Sequence, residues 1–455
     1  MLARSQLRII IVASLAGLLF GFDTAVISGV THDLRAAFAL SPAGLGIAVS
    51  TALWGTLFGA LTMGRPGDRF GSREVLKFVG LLYLVAALGC ALAWNLASFL
   101  VFRFLIGVAI GGSSVLAPVY IAEASPAERR GALVGLFQIN IVIGILAAYI
   151  SNFMVALAIA GPELWRCKLA IAAVPALLFL VLLFFIPQSP RWLIHRGRLA
   201  EAAASLRRLG SADPAAVIDN IAGAQSALPA GTQGLSWRRH GKLIALAIGM
   251  GMFNQLSGIN AILYYLSDIF GAAGFSSLSS NLQSIVIGAT NLLATIVAMT
   301  LIDRTGRKPL LLIGSVGMAL AQGGVAAIMA FNSARALLLP LLVMFIAAFA
   351  ISQGAVIWVY LSEIFPTPVR ARGQSLGSAT HWIMNALISA LFPAIAALSA
   401  SIPFVFFSLM MALQFVLVLW FLPETRGVQL EQMARAMGAA PEVMDSRSAQ
   451  EPRCV

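Results

Sequence analysis

The chain has 455 residues, of which 60% are hydrophobic and only 11% are charged. Because a soluble domain carries about 25% charged residues, this composition excludes an ordinary soluble protein and indicates a protein solvated by lipid. The 30 Lys and Arg residues outnumber the 18 Asp and Glu residues, but they concentrate in short loops between apolar stretches. That distribution indicates membrane orientation rather than nucleic-acid binding.

Twelve apolar stretches, each about 20 residues long, predict twelve transmembrane helices and therefore an all-α membrane protein. Basic residues follow the even-numbered stretches, so these loops and both termini are predicted to lie inside the cell, in a multi-pass protein of the inner membrane. The first stretch lacks a small-residue cleavage site and is interpreted as a retained helix. The predicted spans cover approximately residues 8–30, 44–63, 75–95, 98–121, 131–158, 168–187, 243–270, 282–302, 310–331, 337–361, 374–399 and 402–422.

Three pairs of short motifs show that the chain repeats itself. Asp68–Gly71 follows the second span, and Asp303–Gly306 follows the eighth, 235 positions later. The other pairs, at offsets of 240 and 236, are Tyr120–Glu123 with Tyr360–Glu363, and Pro187–Arg191 with Pro423–Gly427. Two parallel six-helix halves with a site at their interface are typical of the major facilitator fold.

The repeat predicts four regions. They are an N-terminal six-helix half at 1–187, a cytoplasmic helical linker at 188–242, a C-terminal six-helix half at 243–427 and a disordered tail at 428–455. In the linker, Leu199–Leu209 predicts a surface amphipathic helix ending at Gly210, and Asp213-Pro214 opens a second helix. The sequence shows no nucleophile–base pair, metal-ligand cluster or phosphate loop, so we expect neither an enzyme nor a metal or cofactor.

These landmarks together resemble the sugar porter family of the major facilitator superfamily, from Leu18 to Gly427. The motifs Gln255–Asn260 with Tyr264-Tyr265, and Ser362–Pro366, are the most specific, together with the two that close the halves. The closest likeness is to bacterial proton–xylose and proton–hexose symporters. The resemblance implies a proton-coupled monosaccharide symporter that works by alternating access, with a sugar, a proton and the bilayer as partners. A passive sugar uniporter and a non-transporting sugar sensor are the alternatives.

Asp23, near the middle of the first span, is the most informative single residue. A carboxylate in hydrocarbon is expensive and usually marks an ion or proton pathway. At about 1.5 Å per residue Asp23 lies roughly 23 Å from the cytoplasm, and Arg103 roughly 7 Å from the outside, so their depths coincide in a core of about 30 Å. We expect Asp23 to carry the proton and Arg103 to tune it; a static ion pair is the alternative. The resemblance agrees, since the symporters have an aspartate there and passive facilitators an asparagine.

Amide and indole side chains near mid-span suit a sugar, because amides both donate and accept hydrogen bonds and indoles offer a stacking face. The resemblance implies sugar contacts for the whole set, although any single amide could instead join two helices. Gly258, between two members of the set, is expected to break or bend the seventh helix. The set comprises Gln138, Asn254, Gln255, Asn260, Tyr264, Asn291, Trp358, Trp382 and Asn385.

The chain departs from the family pattern at several positions of the site and of its surroundings. Ala355 replaces the proline usual in the tenth span, His381 replaces a glutamine before Trp382, and Ile145 and Asn254 replace glutamines of the resembled symporters. Sugar identity therefore stays open. Whether Cys90 and Cys167 pair also stays open, because pairing does not follow from sequence.

Charged residues at the inner helix ends form a predicted cytoplasmic gating network that pairs across the halves and holds the outward-open state. The alternative is a set of solvated charges that serve topology alone, since an exposed pair is worth only about 0–1 kcal/mol. Gln188 replaces the usual glutamate of this network. Its predicted members are Arg69, Glu123, Arg130, Arg304, Glu363 and Arg370.

Overall fold

The computed structural model describes residues 4–125, 130–159, 161–211, 213–226, 235–365 and 369–426. Within these ranges twelve segments are long and apolar enough to cross a membrane, and no strand occurs. The prediction of an all-α membrane protein with twelve spans is therefore confirmed.

Spans six, seven and ten are interrupted, whereas the others are continuous helices. Span six comprises α8 and α9, span seven α13 and α14, and span ten α18 and α19 with a π-helical turn between them. In chain order the helices are α1 (Arg4–Val26), α2 (Thr31–Ala37), α3 (Pro42–Thr62), α4 (Gly64–Phe70), α5 (Ser72–Ala91), α6 (Leu96–Ala124), α7 (Arg130–Ala158), α8 (Leu164–Ala170), α9 (Ala173–Leu183), α10 (Pro190–His195), α11 (Leu199–Arg208), α12 (Pro214–Ser226), α13 (Trp237–Leu256), α14 (Ile259–Tyr264), α15 (Leu266–Ala272), α16 (Ser277–Thr305), α17 (Arg307–Phe331), α18 (Leu338–Phe349), α19 (Ala355–Glu363), α20 (Arg370–Leu398) and α21 (Ile402–Phe421).

Each half packs its own helices together, and two helix pairs make the most extensive contacts between the halves. In the N-terminal half α1 packs against α7 and α3 against α6, and in the C-terminal half α13 packs against α20 and α17 against α21. Across the halves α3 contacts α20, and α7 contacts α16. A Cβ atom on Gly46 would lie 1.9 Å from the carbonyl oxygen of Ala390, so glycine is what lets α3 and α20 approach so closely.

The linker contains short helices that attach to the first half. α11 ends just before Gly210 and α12 begins at Pro214, so both predicted linker helices are confirmed. The indole Nε1 of Trp192 on α10 donates to the carbonyl oxygen of Asp68 at 2.9 Å. This bond fixes the linker against the turn that follows the second span.

The start of the seventh span differs from the sequence expectation. α13 begins at Trp237, inside the residues predicted as linker, and a non-helical backbone at His240 kinks it near its start. Polar residues therefore continue the helix past its apolar part. The free thiols of Cys90 and Cys167 form no disulfide with each other, and the predicted tail at 428–455 lies outside the described residues.

Candidate functional site

Asp23 and Arg103 form a buried ion pair between α1 and α6. Arg103 Nη1 lies 2.7 Å from Asp23 Oδ1. Arg103 is only 2% exposed and Asp23 only 5% exposed. The Nε atom of Arg103 is buried with no hydrogen-bond partner among the described residues. The structure thus brings together the two charged residues that the sequence places at one depth, and it leaves the arginine with spare hydrogen-bonding capacity.

A small cavity beside Asp23 is lined by both halves of the protein. Phe20 and Thr24 line it from α1, Val49 from α3, and Tyr264 from α14 of the second half. The Tyr264 hydroxyl lies next to the side chains of Thr24 and Asn385. Tyr264 therefore connects the ion pair with the amide groups of the second half.

Gly258 breaks the seventh span, as the sequence predicted. Its backbone is left-handed, with φ +77°, and a Cβ atom there would lie 2.4 Å from the ring of Phe407, so a larger residue is excluded on both counts. The break lets Asn260 Nδ2 donate to Gln255 Oε1 at 3.0 Å. In one continuous helix these side chains, five residues apart, would point about 140° away from each other.

Gln255 is the centre of the amide cluster. Its Nε2 donates to Asn254 Oδ1 at 3.0 Å and lies 3.2 Å from ring nitrogens of His381 on α20. Together with the bond from Asn260, these contacts engage both ends of the Gln255 amide. His381 belongs to the site although it was noted in the sequence only as a departure from the family pattern.

An aromatic row extends from this cluster toward the first half. The His381 ring centroid lies 5.2 Å from that of Trp358 and 5.1 Å from that of Trp382. Trp382 in turn lies 5.5 Å from Phe20 on α1. Trp358 is 40% exposed while Trp382 is buried, so the row runs from an accessible ring to the ring beside the Asp23 cavity. Phe20 carried no signal in the sequence beyond its position near Asp23.

Three other predicted amides have unused hydrogen-bonding capacity. Asn385 accepts from Ser389 Oγ at 3.2 Å, while its Nδ2 is buried without a partner. Gln138 on α7 is half-buried and Asn291 on α16 is buried, and neither makes a hydrogen bond within the part of the chain that the structure describes. The structure does not join these two to the Gln255 cluster, although their helices pack together across the halves.

The π-helical turn Ala350–Gly354 in span ten stands just before Ala355, where the family has proline. It carries the buried Gln353, whose Nε2 donates to Gln414 Oε1 at 2.5 Å. Asn254 Nδ2 lies 3.4 Å from the Gln353 carbonyl oxygen. Sequence analysis missed both glutamines, because their spacing of 61 residues gives no sign of contact.

At the cytoplasmic end of the second half, Glu363 pairs with Arg307. Arg307 Nη2 lies 2.7 Å from Glu363 Oε1, and its Nε lies 3.1 Å from Oε2. Glu424 accepts hydrogen bonds from the backbone N–H groups of Arg307 and Lys308 at 3.0 and 2.9 Å. We call Arg307, Glu363 and Glu424 the C-terminal clamp. This pairing lies within one half, because the turn after α16 places Arg307 beside Glu363. The pairing of Glu363 across the halves in the outward-open state stays a prediction.

The equivalent residues of the first half are Ser72, Glu123 and Gln188, which we call the N-terminal clamp. The Gln188 side chain accepts from the backbone N–H of Arg73 and donates to the carbonyl oxygen of Phe70, both at 3.3 Å. Glu123 lies beside Ser189 on the linker side, but its Oε2 is buried without a partner among the described residues.

Two of the remaining predicted members of the gating network, Arg69 and Arg370, have contacts within their own halves. Arg69 and Arg304 are exposed, and the Arg69 guanidinium lies over the ring of Phe70. Arg370 Nε donates to the carbonyl oxygen of Phe365 at 3.3 Å. Arg130 begins α7, and its side chain lies outside the described residues.

The family model described as "Sugar (and other) transporter" matches residues 9–437. The chain belongs to this family. It is 36% identical to the glucose transporter GlcP of Staphylococcus epidermidis, with 93% of this chain and 96% of the relative covered. It is 33% identical to the D-xylose-proton symporter of Escherichia coli, with 93% and 94% covered. Family membership thus agrees with the resemblance seen in the motifs.

The fold is that of a solved transporter. A structure of the Escherichia coli xylose transporter XylE, in a partially occluded inward open conformation, superposes with a TM-score of 0.83 at 32% identity. The match covers 94% of this chain and 100% of that one. The chain is therefore a multi-pass sugar transporter of the plasma membrane with the major facilitator fold, and not an enzyme.

Proposed function

We propose that the chain is a proton-coupled symporter of a pentose or a hexose, working by alternating access. The observation that carries the proposal is the buried Asp23–Arg103 pair, whose cavity is also lined by Tyr264 of the second half. A proton carrier needs a titratable group that the two sides of the membrane contact in turn. The likeness to a D-xylose-proton symporter supports this proposal.

The ion pair supplies a physical reason for coupling. While Asp23 is charged, separating it from Arg103 in a dry site leaves two unpaired buried charges, at a cost of several kcal/mol per ion. A proton taken up by Asp23 from outside removes one of these charges and lets α1 and α6 rearrange. Loss of that proton to the cytoplasm restores the pair and resets the transporter.

We place the sugar against the second half, where amides and indoles converge. Gln255, Asn260 and Asn385 would bind hydroxyl groups, and the rings of Trp358 and Trp382 would cover the apolar face of the sugar. The further amides in this proposal are Gln138, Asn254 and Asn291. Each can donate and accept, as hydroxyl groups require.

The short helix α14 is the proposed link between sugar and proton. It begins after the break at Gly258 and carries Asn260 beside Gln255 and Tyr264 beside the Asp23 cavity. A movement of α14 on sugar binding therefore changes both sites together. A ligand shifts an equilibrium only through contacts that differ between the two states, and α14 provides such contacts.

Sugar uptake by proteoliposomes tests the coupling. With an inward pH gradient the wild type should accumulate sugar above its external concentration. Asp23→Asn should still exchange labelled for unlabelled sugar but should not accumulate it, because the amide keeps the size of the side chain and loses the proton. Asp33→Asn, an acid on α2 away from this pair, is the matched control and should accumulate sugar like the wild type.

Accumulation by Asp23→Asn would overturn the proton-carrier role, and failure of the wild type to accumulate would favour passive transport. A screen of pentoses and hexoses in the same vesicles identifies the sugar. Gln255→Ala and Gln138→Ala should then weaken its binding by roughly 5–150-fold, the effect of about 1–3 kcal/mol for an unsatisfied partner. Affinities within about twofold of the wild type for both variants would contradict the proposed sugar placement.

A further inference from the structure

A second cavity, of about 780 Å³, lies on the extracellular side, and the mechanism above does not use it. Both halves line it. Asp268 and Ser267 line it from α15 of the second half, and Thr31, His32 and Arg35 line it from α2 of the first half. The two helices contact each other across the halves, and we call this contact the closed outer gate.

Asp268 is held at this contact between the halves. Thr31, whose hydroxyl donates to the carbonyl oxygen of Ser28 at 3.3 Å, lies beside the Asp268 carboxylate. The Oδ2 atom of Asp268 is buried with no partner among the described residues, and so is the hydroxyl of Ser267. A buried charged carboxylate with one oxygen unsatisfied is costly, whereas its neutral form is much less so.

The cations that line the same cavity are engaged elsewhere or are exposed. Lys168 on α8 donates to a backbone carbonyl oxygen at the end of span one at 2.6 Å. His32 lies 3.7 Å from Asp33, and Arg35 is exposed to solvent. Within the part of the chain that the structure describes, no ion pair involves Asp268.

The other elements that pack against α15 offer no charge to Asp268. α16 contributes the uncharged Ser280 and Asn281 to the cavity, and Tyr265 precedes α15. Burial raises the pKa of Asp268 above its ordinary value. The polar Thr31 side chain and the charges of Arg35 and His32 oppose this rise only in part.

We propose that Asp268 is a second proton-binding site, open to the extracellular side, whose protonation favours the closed outer gate. Opening the gate separates α15 from α2 and hydrates the carboxylate, which then binds its proton more weakly. The closed state therefore binds protons more tightly than the open state, and lower external pH favours closure. The population ratio should change about tenfold for each unit by which the pKa of Asp268 differs between the two states.

Spin labels on exposed outer residues of the two halves, Ala37 and Leu278, would report gate opening as a distance. The protein carries Asp23→Asn, so that titration of the first site does not contribute, and its native cysteines are replaced. Distance distributions in nanodiscs are recorded from about pH 8 to about pH 5, a range that covers raised carboxyl pKa values. The long-distance population should fall severalfold as the pH falls.

Adding Asp268→Asn should abolish this pH dependence, while adding Asp33→Asn, an acid lining the same cavity, should preserve it. Thr31→Val replaces the polar hydroxyl beside the carboxylate, which favours its charged form, by a methyl group of the same shape, so the midpoint should move to higher pH. That variant keeps the test decisive if Asp268→Asn does not fold. A pH dependence that survives Asp268→Asn, no pH dependence in the parent, or a midpoint unmoved by Thr31→Val would each overturn the proposal.

Discussion

The two clamps occupy equivalent positions of the repeat, yet the C-terminal clamp has three charged side chains and the N-terminal clamp has only one, Glu123. Arg307 and Glu424 of the second half correspond to Ser72 and Gln188 of the first, at offsets of 235 and 236. Both halves have an equivalent tyrosine hydrogen bond beside the clamp. Tyr120 donates to the Pro187 carbonyl oxygen at 2.7 Å, and Tyr360 donates to the Pro423 carbonyl oxygen at 3.4 Å. The backbone arrangement therefore does not require the charges.

The comparison also explains the unpaired carboxylate oxygen of Glu123. In the second half the equivalent Glu363 has Arg307 as its partner, but in the first half a serine stands at the arginine position. The arginine and the clamp glutamate are absent together, so the N-terminal clamp keeps the same formal net charge as the C-terminal clamp. The two halves thus hold their inner ends by different chemistry.

The largest effect should come from Arg307→Ser, which gives the C-terminal clamp the serine of the N-terminal one. It leaves Glu363 half-buried without its cation, so we expect a loss of about 1–3 kcal/mol in the free energy of unfolding. Thermal unfolding in detergent, followed by tryptophan fluorescence, measures it. Ser72→Ala is the control and should stay within about 0.5 kcal/mol. Equal effects of the two substitutions would show that the clamps do not differ in energy.

A smaller effect should appear on acidification. Burial alone would raise the pKa of Glu424, but backbone N–H donors of Arg307, Arg426, Lys308 and Thr425 hold it below its ordinary value of 4.5. A carboxylate with a depressed pKa stabilises the fold above the ordinary value, and this contribution disappears as the pH falls through the depressed value.

The wild type should therefore lose more stability than Glu424→Gln as the pH drops below about 4.5. Melting temperatures of both proteins across that range provide the measurement. Because the first half already has a glutamine at this position, Gln188→Ala should leave the acid sensitivity as it is in the wild type. Parallel pH curves for the wild type and Glu424→Gln would contradict the role given to this carboxylate.

The smallest effect should come from the reverse exchange, Ser72→Arg with Gln188→Glu. It gives the first half the charged pair of the second and supplies Glu123 with a further cation beside Arg191. We expect a gain of only about 0–1 kcal/mol, because Ser72 is buried and the cost of desolvating a buried ion pair offsets most of its attraction. The two single substitutions serve as controls, and the double variant should exceed their sum. Strict additivity would mean that the introduced arginine and glutamate do not cooperate in the clamp.

Features set by composition and periodicity were predictable from the sequence. The spans follow from apolar length, the two halves from repeated motifs, and the break at Gly258 from glycine inside a helix. The contact of Asp23 with Arg103 followed from depth alone, because both lie near one level of the bilayer. Each of these features depends on the position of residues along one helix or on their depth in the bilayer, and both can be counted from the sequence.

Contacts that depend on how helices rotate against each other were not predictable. His381 and Gln255 are 126 residues apart, and only the packing of α13 against α20 brings them together. The partner of Glu363 was missed for a similar reason, since a tight turn rather than a motif places Arg307 beside it. The π-helical turn leaves no clear mark in a sequence where alanine stands in place of proline.

That π-helical turn has a genetic consequence. A π turn accommodates one residue more than an α-helical turn, so every side chain after Gly354 is rotated by about 100° relative to an uninterrupted helix. Trp358 and Glu363 both follow the turn. With this rotation Trp358 contacts His381 and Glu363 contacts Arg307. Deleting one codon within Ala350–Gly354 would restore a regular helix and turn both side chains away from those partners. The π-helical turn thus sets the orientation of both the Trp358 ring and the Glu363 carboxylate in the inner part of span ten.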